Sequence, residues 1–121
     1  MASILELPIY KDNRGSLISI EKCLPFEINR TYFIYDVKGN QRGGHRHKVC
    51  WQAVIAISGS CIIYCNNGLS RDKFIMDSPK KLLVLKPEDW HIMTDFKKNT
   101  ILLVLASHNY DINDYIYEDY K

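Results

Sequence analysis

Apolar and β-branched residues occur in this chain in short runs, and each run ends at a turn-forming residue. The segment Asn66-Asn67-Gly68 separates two such runs and is the strongest hairpin signal in the sequence. Many short strands at close spacing, with turn residues between them, are typical of an all-β sandwich or barrel. We predict strands at 16–21, 30–37, 51–57, 61–65, 73–76, 81–85, 91–96 and 101–107, with a turn at Lys38-Gly39-Asn40.

Helix-forming sequence is confined to the end of the chain. No stretch before residue 109 shows a sustained helical stripe of apolar residues. The tail 110–117 can form one short helix, with Asp111 as its N-cap. Because the 121 residues contain no linker and no internal repeat, we expect a single domain spanning residues 1–121.

Composition and charge argue against several classes of protein. The 16 basic and 14 acidic residues give a net charge of +2, and the basic residues are dispersed, so we expect no nucleic-acid partner. The sequence has no signal-peptide pattern and no run approaching the roughly 20 apolar residues that span a bilayer, which indicates a cytoplasmic protein without a membrane partner. Its four cysteines form no CxxC pair, and we expect reduced thiols, with Cys61 and Cys65 buried.

The densest group of chemically active side chains is Gly43-Gly44-His45-Arg46-His47. Residues i and i+2 of a strand point to the same face, so His45 and His47 should project together. Two adjacent imidazoles suit metal binding, and they also suit proton transfer, since an unperturbed histidine pKa of about 6.5 lies near working pH. The alternative is a pair of exposed strand histidines, but the two glycines before the pair favour a special site.

The histidine pair also begins a pattern that resembles the first motif of the cupins, which are jelly-roll β-barrels. Gln52 occupies the acidic position of that motif, and Gly59 closes it. In the second motif Pro87 and His91 are present, whereas the glycine is missing and the spacing is shorter. Because glutamine is neutral and a weak ligand for divalent metals, we expect a cupin barrel that uses no metal and no other cofactor.

Motifs spread over nearly the whole chain resemble one group of cupins, the nucleotide-sugar 3,4-ketoisomerases of deoxysugar biosynthesis (the WxcM-like group). The matching segments are Asp12-x-Arg14-Gly15-Ser16-Leu17, Pro25-Phe26-x-Ile28-x-Arg30-x-Tyr32, Arg42-Gly43-x-His45-x-His47-Lys48, Gly59-Ser60-Cys61, Asp77-Ser78-Pro79, Trp90-His91-x-Met93-x-Asp95-Phe96, Leu105-Ala106-Ser107 and Asp111-x-x-Asp114-Tyr115-Ile116. The resemblance implies an isomerase that moves the carbonyl of dTDP-4-keto-6-deoxyglucose from C4 to C3 through an enediol. It also implies a homodimer with exchanged N-terminal strands, and a galacto product that leads to an amino-deoxysugar of lipopolysaccharide or S-layer glycans.

The resemblance further implies roles for individual residues. His45 is expected to be the main base, with His47 beside it as a partner or second shuttle, and Tyr32 is expected to donate to a sugar oxygen. The expected substrate-binding residues are Arg14 and His91 at the sugar end, Arg42 at the diphosphate, and Gln52.

Each of these roles has a plainer structural alternative. Tyr32 could be a core residue, Arg14 a solvated turn residue, His91 a structural histidine and Arg42 an ordinary loop charge. For the protein as a whole, the alternatives are a 3,5-epimerase of the same sugar and a cupin that binds a small ligand without turnover. We expect the tail to have no effect on the chemistry, because it lies far in sequence from the histidine pair.

Overall fold

The structure, a computed structural model, describes residues 1–39 and 41–121. Over these residues the chain forms twelve β-strands and one 3-10 helix. The strands are β1 (Ser3–Glu6), β2 (Ile9–Asp12), β3 (Gly15–Ile18), β4 (Arg30–Tyr35), β5 (Arg42–His47), β6 (Gln52–Ser58), β7 (Cys61–Asn66), β8 (Arg71–Met76), β9 (Lys81–Leu85), β10 (Trp90–Thr94), β11 (Ile101–Ala106) and β12 (Tyr115–Ile116). Within the described ranges, no helix is long and apolar enough to cross a membrane.

Ten of the strands form two five-stranded antiparallel sheets that pack face to face. The first sheet has the order β1-β9-β6-β11-β4, and the second has the order β12-β5-β10-β7-β8. The apolar core between them includes Val54, Leu83 and Leu102 from the first sheet and Ile63 and Met93 from the second. This two-sheet arrangement is that of a jelly roll, which confirms the predicted all-β cupin fold.

Strand β6 explains why the run at 51–57 shows no polar alternation. Val54 and Ala56 face the core between the sheets, whereas Ala53 and Ile55 face a second apolar layer on the outside of the first sheet. Residues of segment 18–26 supply much of that layer. A strand that is covered on both faces can be apolar at every position.

The hairpin predicted at Asn66-Asn67-Gly68 is confirmed, since β7 and β8 pair antiparallel on either side of it. Strand β4 ends two residues earlier than predicted, because Asp36 adopts a left-handed φ of +56°. The predicted turn at 38–40 includes Asn40, which lies outside the described residues. The predicted strand ranges omit β1, β2, β5 and β12, because these strands carry no alternating apolar pattern.

The helix predicted over 110–117 is present only as a short 3-10 helix at Ile112–Asp114. Asp111 is its N-cap, and the Asp111 side chain accepts a hydrogen bond from the backbone N–H of Asn113. After this turn the chain continues as β12, which pairs with β5 so that Tyr115 lies opposite His47. The tail therefore forms an edge of the second sheet, next to the histidine pair.

Candidate active site

Three histidine rings meet at the junction of β5 and β10. His45 and His91 are register partners across these strands, and their ring centroids are 5.0 Å apart. His47 lies two residues further along β5, and its ring centroid is also 5.0 Å from that of His45. The prediction that His45 and His47 share a face is confirmed, and His45 is the member that contacts both of the other rings.

Gly43 allows β5 and β10 to approach closely at this point. Its φ is +86°, and a Cβ on this residue would lie 2.8 Å from the carbonyl oxygen of His91. The register between the two strands shifts at the same place, between His91 and Ile92. A glycine is required here both by the left-handed backbone and by the lack of space.

The rings of His45 and His91 lie on the wall of a cavity of about 410 Å³, which is within the range of roughly 300–1,000 Å³ that small-molecule sites occupy. The other residues that line it are Arg30, Tyr32, Ile34, Gln41, Arg42, Gly43, Met93, Tyr110 and Tyr115. The cavity thus combines imidazole, phenol and guanidinium groups in one concave site.

Burial lowers the pKa values of both histidines on the cavity wall. Desolvation is the main cause of the lowered pKa of His45, which is about 4, and the neighbouring His47 adds to the effect. Desolvation also lowers the pKa of His91, to about 3, and His45 contributes there. Both imidazoles are therefore neutral near pH 7, and the neutral form is the one that can accept a proton.

A backbone hydrogen bond fixes the tautomer of His91. Its Nδ1 lies 3.1 Å from the carbonyl oxygen of Asp89, and the residue is 1% exposed. Because a carbonyl oxygen can only accept, the neutral ring carries its hydrogen on Nδ1 and leaves the lone pair on Nε2.

The half-buried Tyr32 and the buried Gln52 form a hydrogen-bonded pair beside the histidines. The amide Nε2 of Gln52 donates to the hydroxyl oxygen of Tyr32 at 2.9 Å, so the phenolic hydrogen is free to donate elsewhere. Burial raises the pKa of Tyr32 to about 12, and the phenol therefore stays protonated near pH 7. Tyr32 lies on the cavity wall, whereas Gln52 is 2% exposed and is not among the residues that line the cavity.

Two arginines border the cavity, the predicted Arg42 and the unpredicted Arg30, whereas the predicted Arg14 does not. Arg42 lines it, as does Arg30, whose guanidinium carbon lies 4.4 Å from the centroid of the Tyr32 ring. Arg14 lies between β2 and β3, where it forms an ion pair with Asp12, and it does not line the cavity within this chain.

The expectation that the tail has no part in the site is wrong. Tyr115 lines the cavity, and its ring centroid lies 4.7 Å from that of His45 and 4.6 Å from that of His47. Asp114 accepts a hydrogen bond from Nδ1 of His47, with 2.9 Å between the atoms. The tail motif at Asp111, Asp114 and Tyr115 was visible in the sequence, but no spacing rule connects it with a histidine pair more than 60 residues earlier.

A cluster of three buried side chains contains the atom types that bind metals. His47, Cys50 and Asp114 place one potential ligand atom each within 4.8 Å of one another. The imidazole and the carboxylate of this group are already paired, and the second carboxylate oxygen accepts the N–H of Val49 at 2.9 Å. Hydrogen bonding accounts for the cluster, and we assign no metal to it.

The family model described as FdtA: WxcM-like, C-terminal matches the whole chain, residues 1–121. The chain is also similar to the TDP-4-oxo-6-deoxy-alpha-D-glucose-3,4-oxoisomerase of Aneurinibacillus thermoaerophilus. The two sequences are 42% identical over 115 residues, which cover 91% of this chain and 83% of that protein.

Solved structures of proteins named as 3,4-ketoisomerases have the same fold. The structure is similar to that of the WlaRB TDP-quinovose 3,4-ketoisomerase from Campylobacter jejuni, with a TM-score of 0.92 and 42% identity, over 97% of this chain and 92% of that one. It is equally similar, with a TM-score of 0.92 and 32% identity, to a mutant of the 3,4-ketoisomerase QdtA from Thermoanaerobacterium thermosaccharolyticum in complex with TDP-4-keto-6-deoxyglucose. That alignment covers 97% of this chain and 87% of the other.

Proposed function

The chain belongs to the FdtA, WxcM-like C-terminal family, and from this membership we propose that it is a dTDP-4-keto-6-deoxyglucose 3,4-ketoisomerase. Such an isomerase converts its substrate into a dTDP-3-keto-6-deoxyhexose. One observation carries the proposal at the level of chemistry: the neutral imidazole of His45 shares a cavity wall with the protonated phenol of Tyr32. A neutral base and a neutral acid are the two groups that this reaction needs.

His45 removes the proton from C3 of the sugar and returns a proton to C4. The C3 proton of the substrate is acidified by the adjacent C4 ketone, and the neutral ring of His45 accepts this proton as the C3–H bond breaks. The electron pair forms a C3–C4 double bond, and negative charge develops on O4. The imidazolium then returns a proton to C4, which completes the transfer without a redox cofactor.

Tyr32 donates and accepts protons at the sugar oxygens O4 and O3. In the enediolate its O–H donates to O4, where the negative charge develops. When C4 is protonated and the C3 ketone forms, O4 has gained a hydrogen and O3 has lost one. A phenol that gives its proton to O4 and recovers one from O3 accounts for this exchange, and the Gln52 amide behind it holds the hydroxyl in place.

The arginines and His91 bind the rest of the substrate. Arg42 and Arg30 are the cationic residues on the cavity wall, and their guanidinium groups suit the diphosphate, which binds by charge-assisted hydrogen bonds. His91 is assigned to the sugar, because it lies against His45 inside the cavity. His47 supports His45 from the buried side.

A homodimer accounts for the position of Arg14. Strands β2 and β3 pair only with each other in the described part of the chain, and they expose the apolar side chains of Ile9, Tyr10 and Leu17. A hairpin of this kind is suited to pairing with a second copy, since exposed apolar residues grouped together mark an interaction surface. We assign Arg14 to the cavity of the partner subunit.

A mixed dimer tests this assignment. One subunit carries Arg14→Ala and the other carries His45→Asn, with different affinity tags to isolate the mixed species. If Arg14 acts across the interface, one cavity of the mixed dimer is intact and about half of the wild-type activity returns. If both cavities stay inactive, Arg14 does not act in trans.

The biological setting is the cytoplasmic synthesis of an amino-deoxysugar for lipopolysaccharide or S-layer glycans. All four cysteines are free in the structure, which is compatible with a reducing compartment. We assign the galacto configuration to C4 of the product. The coupling between the C4 and C5 protons is small for this configuration and large for the gluco one, so a proton NMR spectrum of the product tests it.

Incubation with dTDP-4-keto-6-deoxyglucose in deuterated water tests the function itself. A 3,4-ketoisomerase produces a 3-keto sugar and can place solvent deuterium at C4. A 3,5-epimerase would label C3 and C5 and leave the ketone at C4. Unlabelled, unchanged substrate would instead support a binding protein without turnover.

A further inference from the structure

The tail places an aromatic ring directly against the histidine pair. In the register of β12 and β5, Tyr115 lies opposite His47. Side chains that lie opposite each other in an antiparallel pair project from the same face of the sheet, and so does the side chain two positions along either strand. Tyr115 therefore shares a face with both histidines, and its ring centroid lies 4.6 Å from that of His47 and 4.7 Å from that of His45.

Hydrogen bonds of the preceding residue fix the position of Tyr115 along β5. The backbone N–H of Lys48 donates to the carbonyl oxygen of Asp114 at 3.0 Å. The carboxylate of Asp114 accepts the backbone N–H of Val49 at 2.9 Å. Both bonds tie the tail to the segment that follows His47, so the Tyr115 ring cannot slide along β5 unless they break.

Strand β12 is the edge strand of the second sheet, and its only neighbour in the described order is β5. On its other side β5 pairs with β10, from which His91 packs against His45. Without β12, β5 would itself be the edge of the sheet, and its histidines would face solvent on that side. The half-buried ring of Tyr115 is the group that covers His45 on the side of the sheet edge.

The titratable and charged groups that face His45 come from the three segments packed around it. These groups are His47 and Arg42 on β5, His91 on β10, and Tyr115 and Tyr117 in the tail. The set contains no carboxylate, because that of Asp114 is bonded to His47 instead. No negative charge in the set therefore stabilises imidazolium on His45, and the exclusion of water is what chiefly determines the pKa of this residue.

We propose that Tyr115 is a positioning residue of the ketoisomerase site, whose ring holds the imidazole of His45 in place and keeps water from it. The proposal rests on the function proposed above. His45 must be neutral to accept the C3 proton, and the imidazolium that forms must then give a proton to C4. An imidazolium that is poorly hydrated is a stronger acid, so the exclusion of water favours this second step. The role belongs to the ring of Tyr115 and does not need its hydroxyl.

Two variants of Tyr115 separate the ring from the hydroxyl. Tyr115→Ala removes both, and we expect kcat to fall by about 10–100-fold, because a displacement of about 1 Å in a reacting group can cost about 10²-fold. The acid limb of kcat/KM should move upward from near pH 4 by about one pH unit or more, toward the unperturbed histidine value of about 6.5. Tyr115→Phe keeps the ring, and it should keep both wild-type kcat and the acid limb near pH 4.

The matched control is Tyr117→Ala, the same substitution two residues further along the tail. The Tyr117 ring centroid is 6.4 Å from that of His45, and Tyr117 is 62% exposed, so its loss should change neither kcat nor the acid limb. A nitrogen-15 NMR titration of protein with labelled histidine rings measures the pKa of His45 with no sugar present. Of the three variants, only Tyr115→Ala should raise this pKa.

The outcomes separate this proposal from the proposed function. The proposal is wrong if Tyr115→Ala leaves the pKa of His45 unchanged, keeps wild-type kcat, or loses affinity for thymidine diphosphate in parallel with kcat. If Tyr115→Ala does not fold, Tyr115→Phe still decides, because a loss of kcat or a shifted His45 titration in that variant would assign the role to the hydroxyl. If His45 titrates as expected in every variant but the wild type does not turn over the sugar, the proposed function is overturned instead.

Discussion

Replacing Tyr32 by phenylalanine removes a single hydroxyl from the cavity and tests the donor assigned to the substrate oxygens. Burial raises the pKa of Tyr32 to about 12, so the wild-type phenol is protonated at any pH where the enzyme would work. Loss of one donor to a developing oxyanion costs about 2.7–4 kcal/mol, or roughly 10²–10³-fold in kcat. We expect Tyr32→Phe to lower kcat by that factor.

The same substitution should also lower stability, for a separate reason. Gln52 is 2% exposed, and its amide donates to the hydroxyl oxygen that the variant lacks. A buried donor without a partner costs about 1–3 kcal/mol in the free energy of unfolding. The double variant Tyr32→Phe, Gln52→Leu removes both partners, and it should recover part of this loss in urea denaturation without recovering kcat.

Initial rates by proton NMR, from the appearance of the 3-keto product, provide the assay. Tyr35→Phe is the matched control, because Tyr35 lies on the same strand and is 64% exposed. We expect wild-type rates for this control. If Tyr32→Phe also retains kcat within threefold, the phenol does not stabilise the enediolate, and the proton exchange between O3 and O4 must be assigned to another group.

Three further predictions follow from the histidine cluster. Because the pKa of His45 is lowered to about 4, kcat/KM measured from pH 4 to 8 should fall on the acid side near pH 4, and a break near pH 6.5 would contradict this. The pKa of His91 is lowered to about 3, so as the pH falls this histidine takes up a proton in the unfolded chain before it does so in the folded protein. The free energy of unfolding should therefore decrease between pH 6.5 and 3, by up to about 1.4 kcal/mol per pH unit. A free energy of unfolding that does not change over this range would contradict the prediction. Gly43→Ala should lower the free energy of unfolding by about 1–3 kcal/mol, and it should reduce kcat by moving β5 away from β10. The control Gly39→Ala, which has open space around it, should keep kcat. Unchanged kcat in Gly43→Ala would mean that catalysis does not need the close approach of β5 and β10.

Local rules predict most of the fold. Short apolar runs and turn residues locate the strands from β6 to β11, and the i, i+2 rule places His45 and His47 on one face. The four buried apolar residues at 53–56 in β6 look like any apolar segment in the sequence, because both faces of the strand are covered. The sequence pattern cannot tell which layer covers each face, since this depends on segment 18–26 folding back over the sheet.

The parts of the site that come from distant segments are not predictable in this way. The bond from His47 to Asp114 joins residues 67 positions apart, and a single aspartate in a polar tail carries no signal of its own. The family motif places Arg14 among the site residues, yet within one chain it lies on the β2–β3 hairpin, outside the cavity. Such contacts depend on the final packing of the chain, and for Arg14 we expect them to depend on a second copy.

The most direct test of the whole account is the rate at which His45→Asn exchanges the C3 hydrogen of dTDP-4-keto-6-deoxyglucose for deuterium from the solvent. Asparagine has similar polarity but cannot serve as a base near pH 7. We predict that this variant binds thymidine diphosphate as wild type does while both C3 exchange and product formation fall to the uncatalysed rate. Exchange at C3 that continues at a rate near that of wild type would show that another group removes the proton.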